Sequence, residues 1–300
     1  MIIIQLQKSN PIVRLILVII FYFFIMYCFL GILLLAGGVE KTRTDYAFLA
    51  SMNILIGLLL TAGTLLFYKF VDRGNPYKLV FTFRFKDLIF SFFVCLISLL
   101  IIMIFLAVKS NDNSIGMTLH LEKLTSMSYL SLLAFACIAW MFGVLQEEVL
   151  ARGYFFANLH RIGIIGMLIV SGILFSLIHI PTKGFHPSEL LIHFIGGLAY
   201  GYIYLKSGSL FLSAIVHGFH NFLLDILFNA DYDATLITLN NAFTDIDKLL
   251  LQTATMVFLL IATYLTYGIR NGILTPAEHL QKLWQNSKEQ KRNRPLKSTV

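Results

Sequence analysis

The sequence predicts an all-α polytopic transmembrane helical bundle of about eight spans with both termini cytoplasmic. Three observations carry that prediction. Hydrophobic residues make up 58% of the 300, charged residues 13%, and the mean hydropathy is +0.79, an apolar excess that a soluble domain has no interior to hide. Apolar segments recur, each near the roughly 20 residues needed to cross a bilayer. Of the 23 Lys and Arg, all but Lys41, Arg43, Lys109, Lys123, Lys183 and Lys248 fall inside when the termini are cytoplasmic, a positive-inside bias. The net charge of +7 is therefore mostly a topology signal, and no basic soluble module exists to bind nucleic acid.

The predicted spans cover residues 15–38, 47–68, 88–108, 127–146, 162–180, 189–205, 209–228 and 249–267. The first exceeds the apolar length of a secretory signal and has no A-x-A pattern after Gly37, so it is expected to be retained. Residues 1–126 form an N-terminal unit of three spans. Its loop from Asp72 to Asp87, with Gly74-Asn75-Pro76 as turn chemistry, is expected to lay a basic strip on lipid headgroups. Residues 127–230 form a membrane core, 231–268 an extracytoplasmic loop and last span, and 269–300 a basic cytoplasmic tail. In the tail, Thr275-Pro276-Ala277-Glu278 predicts a capped short helix with Leu280, Leu283 and Trp284 on one side. Lys288 to Lys297 is expected to be disordered and drawn to anionic lipid. Cys28, Cys95 and Cys137 stand singly in separate spans and read as small buried hydrophobes. There is no internal repeat.

Six polar residues stand in these spans or on the fourth helix where it is expected to run on to about Leu159: Glu147, Glu148, Arg152, His179, His217 and Asn221. Ionisable groups at mid-bilayer cost roughly 2.5–3.5 kcal/mol each even on lenient scales, so they mark function. Glu148 and Arg152 are i and i+4 with the acid first, the favourable order for a pair, on a helix that nothing breaks before Gly153. Glu147 lies about 100° away around the helix and has no comparable partner, leaving its carboxylate to act as general base for water. Phe175 and His179 share a face, and Pro181 should end or kink the helix just beyond. His217 and Asn221, again i and i+4, offer donors suited to an oxyanion. Counted from the inner surface at about 1.5 Å per residue, Glu147 lies roughly 18 Å deep, His179 roughly 25 Å and His217 roughly 12 Å. Tilts and a kink near Pro181 or Gly153 are expected to bring the three around one wet chamber.

Other polar residues read as structural. His220 points about 60° away from His217, Asp225 continues the His217 face toward the outer end, and His193 reads as an interior histidine. His120, His160, His186 and His279 fall in loops, turns or the tail. Gly208-Ser209 is no nucleophile setting.

Glu147-Glu148 with Arg152-Gly153, then Phe175-x-x-x-His179, then His217-x-x-x-Asn221, in that order on successive membrane helices, resemble the Abi or CPBP family of intramembrane proteases. That family includes the type II CAAX prenyl endopeptidases and bacterial proteins linked to bacteriocin self-immunity. The resemblance covers roughly residues 127–230. It implies that Glu147 activates water with help from His179, that His217 and Asn221 steady the oxyanion, and that Glu148 and Arg152 support the site. Glu147, His179 and His217 are also a possible His₂Glu zinc set with Glu148 as base. The metal-free reading is preferred, because the compact H-E-x-x-H signature is missing and the prenyl endopeptidase resemblance favours glutamate with histidine. The expected function is an endopeptidase in the cell membrane acting on a hydrophobic, lipid-modified or membrane-associated peptide or protein at the cytoplasmic half of the bilayer. The alternative is a non-catalytic membrane immunity or scaffold protein using the same polar network structurally. A transporter, the third possibility, lacks the support of an inverted repeat. Substrate identity, oligomeric state and lateral gate are not encoded legibly.

Overall fold

The computed structural model describes residues 10–72, 74–75, 79, 82, 84–111, 116–228, 234–241, 243–269 and 272–292, with the backbone path alone for 286–292. Helix α1 (Pro11–Leu35) starts with proline in its first turn and Asn10 Oδ1 accepting from Ile12 N at 3.0 Å, which satisfies one of its orphan donors. A short α2 (Gly38–Thr44) leads to α3 (Tyr46–Phe70), capped by Asp45 on Phe48 N at 2.9 Å, and then comes α4 (Phe85–Asn111). The core runs through α5 (Met127–Glu148), α6 (Phe156–Leu159), α7 (Ile164–Leu177), α8 (Ile180–Lys183), α9 (Pro187–Ser207) and α10 (Leu210–Phe228). After it come α11 (Asp245–Thr263), opened by a Thr244/Asp247 capping box, and α12 (Glu278–Arg292). The protein is an all-α multi-pass membrane bundle.

Seven of its helical segments are long and apolar enough to cross a membrane among the described residues: Pro11–Leu35, Tyr46–Phe70, Phe85–Asn111, Met127–Ile162, Ile164–Lys183, Leu210–Leu227 and Asp245–Gly268. The eighth expected span, α9, forms as a 21-residue helix but falls outside that set. Other helices enclose it: Gly196, Gly197 and every residue from Ala199 to Ser207 are buried. A helix sheathed by protein needs no lipid-facing apolar surface, so it carries glycines and tyrosines instead.

Close crossings set the bundle's geometry. A Cβ on Gly197 would stand 3.0 Å from the Gly172 Cα, and one on Gly218 would stand 3.1 Å from the Met141 Cα. These small residues let α9 approach α7 and α10 approach α5 almost backbone to backbone. Where α9 ends, Gly208 takes φ 69°, the left-handed cap that a glycine adopts without a Cβ penalty.

Several local expectations are corrected. Between α5 and α6 the backbone of Val149–Phe155 is a π-helical turn, not the uninterrupted α-helix expected up to Gly153. The loops before α5 and α11 pair as a two-stranded antiparallel ribbon, β1 (Met117–Leu119) with β2 (Ile237–Leu239), in the register Thr118 opposite Thr238. α12 starts at Glu278 rather than after Thr275, whose carbonyl instead accepts from Lys206 Nζ at 2.6 Å. Its helix continues to Arg292, into the stretch expected to be disordered; residues 293–300 lie outside the described residues. Much of the Asp72 to Asp87 strip also lies outside them. Cys28 is exposed on the outer surface of α1, whereas Cys95 is buried.

Candidate active site

The two neighbouring carboxylates lead opposite lives. Glu148 has a fully buried side chain that accepts from three donors. Arg152 Nη1 and His217 Nδ1 reach Oε1 at 2.9 and 2.8 Å, and Ser213 Oγ reaches Oε2 at 2.6 Å. The i,i+4 pairing of Glu148 with Arg152 forms as expected across the start of the π turn. Arg152 is fixed further by Nη2 donating to Gly197 O at 3.1 Å and by lying 4.4 Å over the Phe175 ring, a cation–π contact. This arrangement meets the condition for tolerating buried charge, since each ion is paired and hydrogen-bonded.

Glu147 points elsewhere, as its rotation around the helix requires. Its Oε2 is buried and has no hydrogen-bond partner among the described residues. Its neighbour is His179, with Nε2 3.8 Å from Oε2. Both line a cavity of about 220 Å³ with Tyr22 and Met26 of α1, Ile56 and Leu60 of α3, Gln146, Ile178 and Thr182. His179 sits at the break between α7 and α8, where Pro181 prevents a straight continuation. Its Nδ1 lies 2.7 Å from Phe175 O. A carbonyl only accepts, so that nitrogen carries the hydrogen and Nε2 presents its lone pair toward Glu147. The depth mismatch between His179 and Glu147 expected from residue counting is closed at this break.

His217 bonds the other glutamate: its Nδ1 faces Glu148, and neither His217 nor Asn221 is among the residues lining the Glu147 cavity, though the ring stays within electrostatic reach of both Glu147 and His179. The reason is helical phase: Glu148 faces α10, while Glu147 faces α1, α3 and the end of α7. Tyr200 stacks on the His217 ring at 4.1 Å, and Asn221 Nδ2 lies 3.4 Å from His217 Nε2. Phe175 joins the two halves, packing edge-on against His179 at 4.8 Å and His217 at 5.9 Å between centroids.

The zinc alternative would need its ligands gathered around one point. Zinc needs nitrogen and oxygen ligands about 2.0–2.2 Å from the ion, yet among the described residues no three His, Cys, Asp or Glu side chains gather as such a set. His217 Nδ1 is turned to Glu148 rather than toward Glu147 and His179. His220 bonds Gln252 Oε1 at 3.0 Å, and Asp225 accepts from Trp140 Nε1 at 3.1 Å and from Tyr46.

Sequence reasoning missed three residues at the site. Tyr22 donates to Gln146 Oε1 at the cavity wall. His193 stacks on His179 with centroids 3.9 Å apart. Nothing local marks the first two, whereas the i+4 spacing of His193 to the crossing glycine Gly197 is a signal that pointed at α7.

Residues 129–223 match the family model of the type II CAAX prenyl endopeptidase Rce1-like proteins. The matched stretch contains all six residues of the two-glutamate, arginine, histidine and asparagine pattern and bears out the family resemblance. That family implies an intramembrane protease of the CAAX type. No curated protein and no solved structure matches the chain.

Proposed function

Taking the Rce1-like match of residues 129–223 as premise, we propose that this protein is an intramembrane endopeptidase of the cell membrane that hydrolyses a peptide bond in a hydrophobic, lipidated or membrane-associated substrate. One observation carries the reading. A carboxylate oxygen of Glu147 is buried without a partner, 3.8 Å from the lone-pair nitrogen of His179, on a cavity inside a membrane bundle. An unsatisfied buried acceptor costs about 1–3 kcal/mol, and here it stands on a cavity wall beside an imidazole, where a water could meet both.

The spacing of Glu147 Oε2 and His179 Nε2 lets one water hydrogen-bond to both. Glu147 takes one proton of that water as its oxygen adds to the scissile carbonyl carbon, while His179 Nε2 accepts from the other hydrogen and holds the water in line. The proton on Glu147 then passes to the departing amide nitrogen, the C–N bond breaks, and an acid and an amine leave with one water consumed. Asn221 Nδ2 and, through the amide it orients, the His217 ring are assigned to the oxyanion. Glu148 holds the His217 ring through Nδ1, and Arg152 keeps Glu148 in place.

The test uses full-length protein in liposomes and a fluorogenic farnesylated peptide carrying a C-terminal CAAX sequence, with products identified by mass spectrometry. Wild type should release the three-residue tail. Glu147→Gln and His179→Ala should each lower kcat about 10³-fold, within the roughly 10²–10⁴-fold that one positioned acid–base group contributes. Cleavage that persists in both variants would refute the Glu147–His179 assignment, and a wild type that cleaves nothing would leave the non-catalytic alternative, with the polar network serving only the fold.

A further inference from the structure

We propose that His193 is a positioning residue for His179, holding its imidazole in the one orientation that aims Nε2 at Glu147. The inference rests on the hydrolytic reading of that pair. It concerns a residue outside the six that carry the family pattern.

The glycine crossing creates the arrangement. Gly172 on α7 and Gly197 on α9 bring the two backbones together. One turn before Gly197 stands His193, and beyond Gly172 the chain reaches Phe175 and then His179. The two histidine rings therefore meet, with centroids 3.9 Å apart and planes 28° from parallel. Each ring is tethered the same way: Nδ1 of His179 to Phe175 O, and Nδ1 of His193 to Glu189 O, both at 2.7 Å and both four residues back. These tethers fix the tautomer of both rings, with hydrogen on Nδ1.

A tether at Nδ1 is a single hydrogen bond and leaves the ring free to swing about it. Phe175 blocks one direction of swing by meeting the ring edge-on at 4.8 Å. His193 blocks the other by covering a face. His179 needs this support more than an ordinary helix residue does, because it sits at the break between α7 and α8, where the His179 N–H turns back to Ser176 O at 3.2 Å rather than continuing an α-helical ladder. A catalytic group must be held within about 0.5 Å and 10–20° of its productive geometry, and a misplacement of 1 Å costs up to about 100-fold in rate. The contact needed is a flat ring of this size, not its proton, since a stacked ring offers His179 no hydrogen bond.

The test compares His193→Ala, which removes the ring, with His193→Phe, which keeps a flat ring and removes both nitrogens, alongside Glu147→Gln. With the farnesylated peptide in liposomes, His193→Ala should lower kcat about tenfold with KM unchanged, and His193→Phe should stay within about threefold of wild type. Carbethoxylation of His179 by diethyl pyrocarbonate, followed by mass spectrometry, gives a readout that needs no turnover. His179 should react several-fold faster in His193→Ala than in wild type or His193→Phe. Equal kcat and equal labelling in His193→Ala and wild type would overturn the positioning role, and so would a His193→Phe variant as impaired as His193→Ala. If wild type and Glu147→Gln are equally inert toward the peptide, the hydrolytic reading fails instead, and the labelling rates still decide whether His193 holds His179.

Discussion

Removing both charges of the Glu148–Arg152 pair should destabilise the protein by clearly less than the sum of removing each alone. The side chains are 0% exposed and 2.9 Å apart, which puts the pair in the class where loss of one partner costs about 3–5 kcal/mol by leaving the other buried and uncompensated; a surface pair would cost at most about 1. Glu148→Gln strands the Arg152 guanidinium, with only Gly197 O and the Phe175 face to hold it. Arg152→Met strands the carboxylate, with Ser213 and His217 still donating, so its cost should fall at the lower end. The double variant carries neither charge and should be less destabilised than the sum of the singles by at least about 2 kcal/mol. Reversible unfolding in bicelles, followed by helicity against SDS fraction, measures all four proteins. Costs that add to within about 0.5 kcal/mol would refute the claim that the pair is a coupled buried unit.

Three further outcomes follow from the geometry. Gly197→Val puts methyl groups where Gly172 already stands at 3.0 Å; forcing α7 and α9 apart should cost about 1–3 kcal/mol and lower peptide cleavage at least tenfold, whereas unchanged cleavage would show that the crossing does not set the site. Docking of α12 should weaken in acid. His279 lies at its start with Nε2 2.8 Å from Gly208 O, and burial, aided by nearby Arg84, holds its imidazole below its ordinary protonation range despite that bond. A folded value below the unfolded one of about 6.5 means full stability above that pH and loss as pH falls below it. Amide exchange in residues 277–292 should therefore quicken between pH 7.5 and 5, and His279→Leu should remove the difference. Chelation should leave cleavage unchanged, with metal analysis finding far less than one zinc per chain; activity abolished by chelator and restored by zinc would replace the Glu147–His179 water with a metal-bound one.

The sequence made the membrane bundle legible because hydrocarbon imposes uninterrupted apolar runs on any helix that faces it. It made Glu148–Arg152 legible because i,i+4 neighbours meet through local geometry alone. α9 was placed correctly as a helix, but its character was not, because what surrounds a helix is decided by other segments. The same limit hid the β1–β2 ribbon, whose three-residue strands exist only through pairing across more than a hundred residues. It also hid Tyr22, which looks like one more aromatic in a lipid-facing run until Gln146 is set opposite. For His217, helix phase separates the two glutamates by about 100° but does not say which of them a third helix will meet.

That undecided phase is where the chemistry is settled. Two adjacent carboxylates in one membrane helix cannot both be neutralised by the same neighbours, since they face different helices. Whichever faces α10 acquires Arg152, Ser213 and His217 and becomes fixed and fully satisfied. The other faces a cavity and His179 with an oxygen unpaired. A satisfied carboxylate in three hydrogen bonds has little basicity left to offer a water and no room to admit one. An unsatisfied one beside a cavity has both, so the division of labour between Glu148 and Glu147 follows from one residue's rotation around a helix. Exchanging the roles would require turning α5, against the close crossing at Gly218, where even an added Cβ would stand 3.1 Å from the Met141 Cα.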